Sequence, residues 1–99
     1  MASLQIDFLT GFNDTQGNIK IDDAEVDSFL LSTDYAIGLA KSVRYRLNDS
    51  PISLTLEFPT LDQFSNLNIK SKDDVYIRVN LDDNIQIKTE ISSTPTTYF

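Results

Sequence analysis

The sequence predicts a mainly β domain, a small antiparallel barrel or sandwich built from hairpins, and three observations point there. Val75, Ile77, Val79 and Leu81 alternate with Tyr76, Arg78 and Asn80, the period-two pattern of a strand with one buried face. The same alternation recurs over residues 85–91, 43–47 and 52–58. Twelve Asp stand against three Glu. Asp competes for backbone hydrogen bonds at turns and caps, whereas Glu suits helix interiors, so this ratio favours short elements and many turns.

From the N-terminus, Leu4, Ile6 and Phe8 alternate as a strand, and Ile19 and Ile21 mark a second one after a turn over residues 13–18. Residues 22–40 admit two readings. As a helix, Asp22 or Asp23 caps a run in which Val26, Phe29, Leu30, Thr33 and Ile37 share a face, which would make the domain α+β. As a strand, residues 25–33 are extended and residues 34–40 form a loop around Gly38. The extended reading takes precedence because Gly38 and several Ser, Thr and Asp residues weaken a long helix.

Residues 43–47 and 52–58 read as a hairpin turned by Asn48, Asp49, Ser50 and Pro51, with Leu47 opposite Ile52, Tyr45 opposite Leu54 and Arg44 within diagonal reach of Glu57. Pro59 ends it. Thr60 and Gln63 then form a capping-box pattern with Leu61, Phe64 and Leu67 along one side, so a short connector helix is expected near residues 60–67. The last hairpin pairs residues 75–81 with 85–91 around Asp82, Asp83 and Asn84. Its three-residue loop sets Leu81 opposite Ile85 and Val79 opposite Ile87, and asks Asn84 to adopt the left-handed conformation. That register leaves Arg78 opposite Lys88, with Glu90 on the diagonal. Residues 92–99 form a polar tail or arm that contains Pro95 and ends in Tyr98 and Phe99.

At 99 residues and 40% hydrophobic content the chain is a single domain with one modest core. It contains neither histidine nor cysteine, which removes the ordinary near-neutral acid–base group, the strongest ordinary nucleophile and the commonest zinc ligands. Serine catalysis lacks a base, since no Ser-x-x-Lys spacing occurs. The three glycines, Gly11, Gly17 and Gly38, build no phosphate loop. Paired carboxylates can hydrolyse glycosides, but a chain this small with no Trp has little room for a sugar cleft. Calcium takes oxygen ligands only, yet residues 12–25 miss the EF-hand order, with Gly17 at the wrong offset. No catalytic, metal or cofactor residue is assigned, and no enzyme activity is expected.

The first residues lack a basic region followed by an apolar one, and no apolar run reaches the about 18 residues of a membrane span, so neither a signal peptide nor membrane insertion is expected. The net charge of −7 is uneven: residues 1–40 hold seven acids and one base, net −6, whereas residues 41–99 hold eight acids and seven bases, net −1. A negative surface repels nucleic acid and suits a basic protein partner. The candidate partner-binding residues are therefore Asp22, Asp23, Glu25 and Asp27, together with Tyr98 and Phe99 as the end of a docking arm.

The run Glu25-Val26-Asp27-Ser28-Phe29-Leu30-Leu31-Ser32, followed by residues 43–58 and 73–79, resembles the strand order of small β-barrel modules in bacteriophage tail and baseplate hub proteins. In those modules a strand-turn-strand leads through a short connector to a strand opened by acidic residues, here Asp73 and Asp74 before Val75. The resemblance implies a virion building block without catalytic residues that works through sheet edges, exposed loops and termini. The expected function is a non-enzymatic assembly module, a viral structural protein of tail, neck or capsid-surface type. Its expected partners are copies of itself or other virion subunits, with no cofactor, nucleic acid or membrane. Its place would be the virion or, if the chain is not viral, the cytoplasm. The other reading is an acidic inhibitor of phage anti-defence type that blocks a basic surface of a host enzyme.

Overall fold

A computed structural model describes residues 2–47, 51–70 and 73–93. Its strands are β1 (Ala2–Phe8), β2 (Thr15–Ile21), β3 (Ala24–Leu31), β4 (Lys41–Leu47), β5 (Ile52–Phe58), β6 (Gln63–Ile69), β7 (Val75–Leu81) and β8 (Ile87–Ser92). They form a sandwich of two four-stranded sheets, ordered β4-β1-β7-β8 in the first and β3-β2-β5-β6 in the second. The mainly β expectation holds, and the helical reading of residues 22–40 does not: they fold as strand β3 and a loop.

Alternation explains the core. On β5, Ile52, Leu54, Leu56 and Phe58 are all buried, while Ser53, Thr55 and Glu57 face outward. Leu4, Ile6 and Phe8 of β1 and Val75, Ile77 and Val79 of β7 supply the opposite layer. Phe12, in the loop after β1, fills the space between the sheets: it stacks on Phe58 at 6.0 Å and meets Phe8 edge-on at 6.0 Å. Thr33 holds this loop in place, its N–H donating to Phe12 O at 2.9 Å and its Oγ1 accepting from Phe12 N–H at 3.1 Å.

Several local expectations are corrected. Residues 43–58 are not a hairpin, because β4 joins the first sheet beside β1 and β5 joins the second between β2 and β6. Arg44 accordingly meets Gln5 rather than Glu57, which pairs with Lys20 at 3.3 Å. The connector is helical only over Pro59–Leu61, a single 3-10 turn, and residues 63–69 are strand. The second strand begins at Thr15, inside the expected turn. Not every neighbour is antiparallel: β1 and β7 run parallel, from Leu4↔Val75 to Phe8↔Val79.

The last hairpin exists, but two residues out of the expected register. Leu81 faces Ile87 and Arg78 faces Glu90 directly, with an ion pair at 3.1 Å. Lengthening the loop replaces the like-charge pair Arg78–Lys88 by an attractive one and keeps Ile87, Thr89 and Ile91 on one face, while Ile85 leaves the strand for the loop. Ile85, not Asn84, then takes the left-handed conformation, at φ 59°.

Candidate functional site

The acidic residues expected to bind a partner divide once the chain folds. Asp22 and Asp23 turn the β2–β3 hairpin with positive φ at both positions, 51° and 69°, a conformation Asp tolerates better than most residues. Asp22 Oδ1 accepts from Ser53 N–H at 2.9 Å, and the Asp22 N–H donates to Ser53 O at 2.8 Å. Asp27 shares the inner face of β3 with Phe29 and Leu31; its Oδ2 accepts from the Tyr45 hydroxyl at 2.9 Å, which joins β3 to β4. Burial, and then the Asp27 carboxylate, push the Tyr45 phenol above its ordinary range. Asp23 and Glu25 alone of the four are exposed without a bonded partner among the described residues. Tyr98 and Phe99 lie outside the described residues.

The outer face of the first sheet holds all three arginines of the chain, Arg44, Arg46 and Arg78, in register with Gln5, Ser3 and Asp7. Asp7 is completely buried there although it points away from the core. Ser42 Oγ donates to its Oδ1 at 2.6 Å and Gln5 Nε2 donates to both of its oxygens, at 3.1 and 3.3 Å. Arg44 Nη2 in turn donates to Gln5 Oε1 at 2.6 Å. A carboxylate bonded from several sides anchors a network rather than offering a reactive group. The other acidic pairs serve turns. Asp82 Oδ1 accepts from the N–H groups of Asn84 and Gln86, both at 2.9 Å. Asp74 Oδ1 accepts from Ser3 N–H at 2.9 Å, and this bond holds the Asp74 carboxyl below the usual carboxylate value. Among the described residues, no three acidic groups are placed to hold a metal ion.

The sheet edges differ more than the faces do. Unpaired edge strands invite another chain, and proteins guard them with charge, bulges or Pro. Edge β3 carries Glu25 and Asp27 and a bulge that leaves Val26 without a partner. Edge β4 carries Lys41, Arg44 and Arg46, and edge β8 carries Lys88 and Glu90. Edge β6, Gln63-Phe64-Ser65-Asn66-Leu67-Asn68-Ile69, has no charge, no Pro and an unbroken register with β5 from Ile52↔Ile69 to Phe58↔Gln63. Among the described residues its backbone makes no hydrogen bond outside that ladder.

Apolar side chains are left open on the same side. Phe64 stands 72% exposed on β6, and Glu57, Pro59, Asp62, Gln63 and Phe64 line an open groove there. The Gln63 side chain ties β6 to the neighbouring edge of the first sheet: Oε1 accepts from Ile87 N–H at 3.0 Å and Nε2 donates to Ile85 O. Ile91 of β8 lies opposite the buried Ile77, on the core face of its sheet, yet is 52% exposed. The sandwich is uncovered where β6 and β8 end.

Sequence reasoning missed this edge because Leu61, Phe64 and Leu67 carry helical spacing, while the true inner face of β6 is Gln63, Ser65, Leu67 and Ile69, half of it polar. The uncharged run over residues 63–69 was the available signal. No family model, curated protein or solved structure matches the chain. Among the described residues no helix is long and apolar enough to cross a membrane.

Proposed function

We propose that the chain is a non-enzymatic assembly module, a small bacteriophage virion structural protein of tail, neck or capsid-surface type that joins other protein subunits through its sheet edges. The observation that carries this reading is β6, a seven-residue edge strand without charge or bulge beside the exposed Phe64 and Ile91. The viral part of the reading rests on the sequence resemblance to phage hub modules alone; the fold departs from their strand order, with β4 and β5 in different sheets and β6 between the connector and Asp73. Two measurements test it: the mass of the purified chain in solution by light scattering after size exclusion, and its presence in purified particles from its natural source. A discrete oligomer, or a fixed copy number in particles, supports the reading. A monomer at every concentration that is also missing from particles overturns it.

Asp23 and Glu25, exposed and without bonded partners among the described residues at the β2–β3 end, favour one second reading, the acidic inhibitor. Its mark is a monomer or dimer whose binding to a basic host protein weakens steeply as salt screens the charge.

A further inference from the structure

We infer that the occupant of β6 is a second copy of this chain, paired antiparallel across a two-fold axis at Asn66, so that the two β3-β2-β5-β6 sheets join into one sheet of eight strands. This rests on the assembly reading above and names its contact. A two-fold axis sets a strand against itself, so a strand's own sequence decides whether it tolerates the pairing. Full overlap of β4 would set Arg44 against its own copy with Arg46 on the diagonal, and the bulge at Val26 interrupts β3. β6 has nothing to repel its copy.

Full overlap of the seven residues pairs Gln63 with Ile69, Phe64 with Asn68, Ser65 with Leu67 and Asn66 with its own copy. One step beyond each end, the same register puts Asp62 opposite Lys70 of the second copy, and Lys70 opposite Asp62. Both residues are exposed; Lys70 keeps the outward parity of Phe64, Asn66 and Asn68, whereas Asp62, in the left-handed conformation at φ 55°, closes the 3-10 turn immediately before the strand. A strand without charge is thus flanked by one acid and one base at the two positions where antiparallel self-pairing makes opposite charges meet. Sliding the register by two residues shortens the overlap from seven facing positions to five. In the full-overlap pair Phe64 has Lys70 of the second copy on its diagonal, within reach of its ring face. The axis also brings together the two β8 sides, where Ile91 is left half exposed.

The test is sedimentation equilibrium of the full chain, using Asp62→Lys, Lys70→Asp and an equimolar mixture of the two. Wild type forms a dimer. Each variant alone sets like charges together at both ends and weakens the dimer about tenfold, the size expected when two exposed attractive pairs become repulsive. Mixing restores wild-type affinity, because the mixed dimer has an opposite pair at each end. Lys70→Asp, at an exposed site beyond the strand, keeps the test available if Asp62→Lys does not fold. Asn66→Lys, at the axis, dissociates the dimer, and mixing it with wild type recovers only part of the loss. A dimer indifferent to all three substitutions overturns the β6 contact but leaves the assembly reading standing. A chain that is monomeric throughout and missing from particles overturns both.

Discussion

The Tyr45 hydroxyl donates to Asp27 Oδ2 at 2.9 Å, bonding the edge strand of one sheet to the edge strand of the other. Beside it, Lys41 Nζ lies 5.2 Å from the centre of the Phe29 ring. On the opposite side the Gln63 amide does the same work between β6 and β8. The sandwich is therefore closed at one margin by a phenol–carboxylate pair and at the other by a neutral amide, and only the second margin leaves an uncharged edge strand.

Tyr45→Phe removes a bond to a carboxylate at a half-buried margin and is expected to cost about 1 kcal/mol in urea unfolding at neutral pH. It also changes the alkaline limb. The folded phenol keeps its proton above the value of about 10 at which the unfolded chain releases it. This stabilisation is whole below pH about 10 and is lost as pH rises through the folded value. Wild type should therefore lose more stability than Tyr45→Phe above pH 10; equal slopes would show that the bond is not formed in solution.

Asp74 acts at the other end of the scale. Its carboxyl is held below the ordinary value, first by the backbone N–H of Ser3. The contribution is present above the unfolded Asp value of about 3.9 and is lost as pH falls through the lower, folded one. Asp74→Asn should flatten part of the acid limb of stability measured by circular dichroism, leaving the alkaline limb unchanged.

Gly11 and Gly38 both have positive φ, at 92° and 71°, but in different surroundings. A Cβ on Gly11 would overlap the Leu81 carbonyl, whereas nothing lies within 4 Å of one on Gly38. Gly38→Ala should cost only the backbone preference, about 1 kcal/mol. Gly11→Ala adds displacement of β7 and should cost about 3 kcal/mol or more. Denaturant midpoints of the two variants compare them directly.

Ile85 carries a left-handed φ of 59°, unusual for a β-branched residue, and its side chain is 54% exposed. Ile85→Asn should stabilise by about 1 kcal/mol, since Asn accepts this conformation and the backbone carbonyl that receives Gln63 Nε2 is retained. A lower melting temperature would mean that the exposed isoleucine contributes packing that outweighs its strain.

Much of this fold can be read residue by residue, and the failures share one cause. Leu4, Ile6 and Phe8 on β1, and Val75, Ile77 and Val79 on β7, alternate so regularly that both strands and their buried faces are plain. β6 is hidden because Gln63 and Ser65 occupy its inner face, with Gln63 reaching to β8, and the apolar residues that remain mimic a helix. The acidic cluster was visible as composition. Its division into turn, seam and exposed groups was not, because Asp27 becomes a seam residue only when Tyr45 arrives opposite it.

Side-chain alternation is a local property, set by residues two apart, so the strands whose inner faces are apolar, such as β1, β5 and β7, and the Asp-rich turns are written in the chain itself. Partner choice is not local. The 48–51 connection looks like a hairpin turn, yet β4 and β5 part into different sheets and β1 runs parallel to β7, 71 residues away at Leu4 and Val75. Such pairings are settled only when two apolar layers close on each other, and that closure is also what leaves β6 as the unguarded edge.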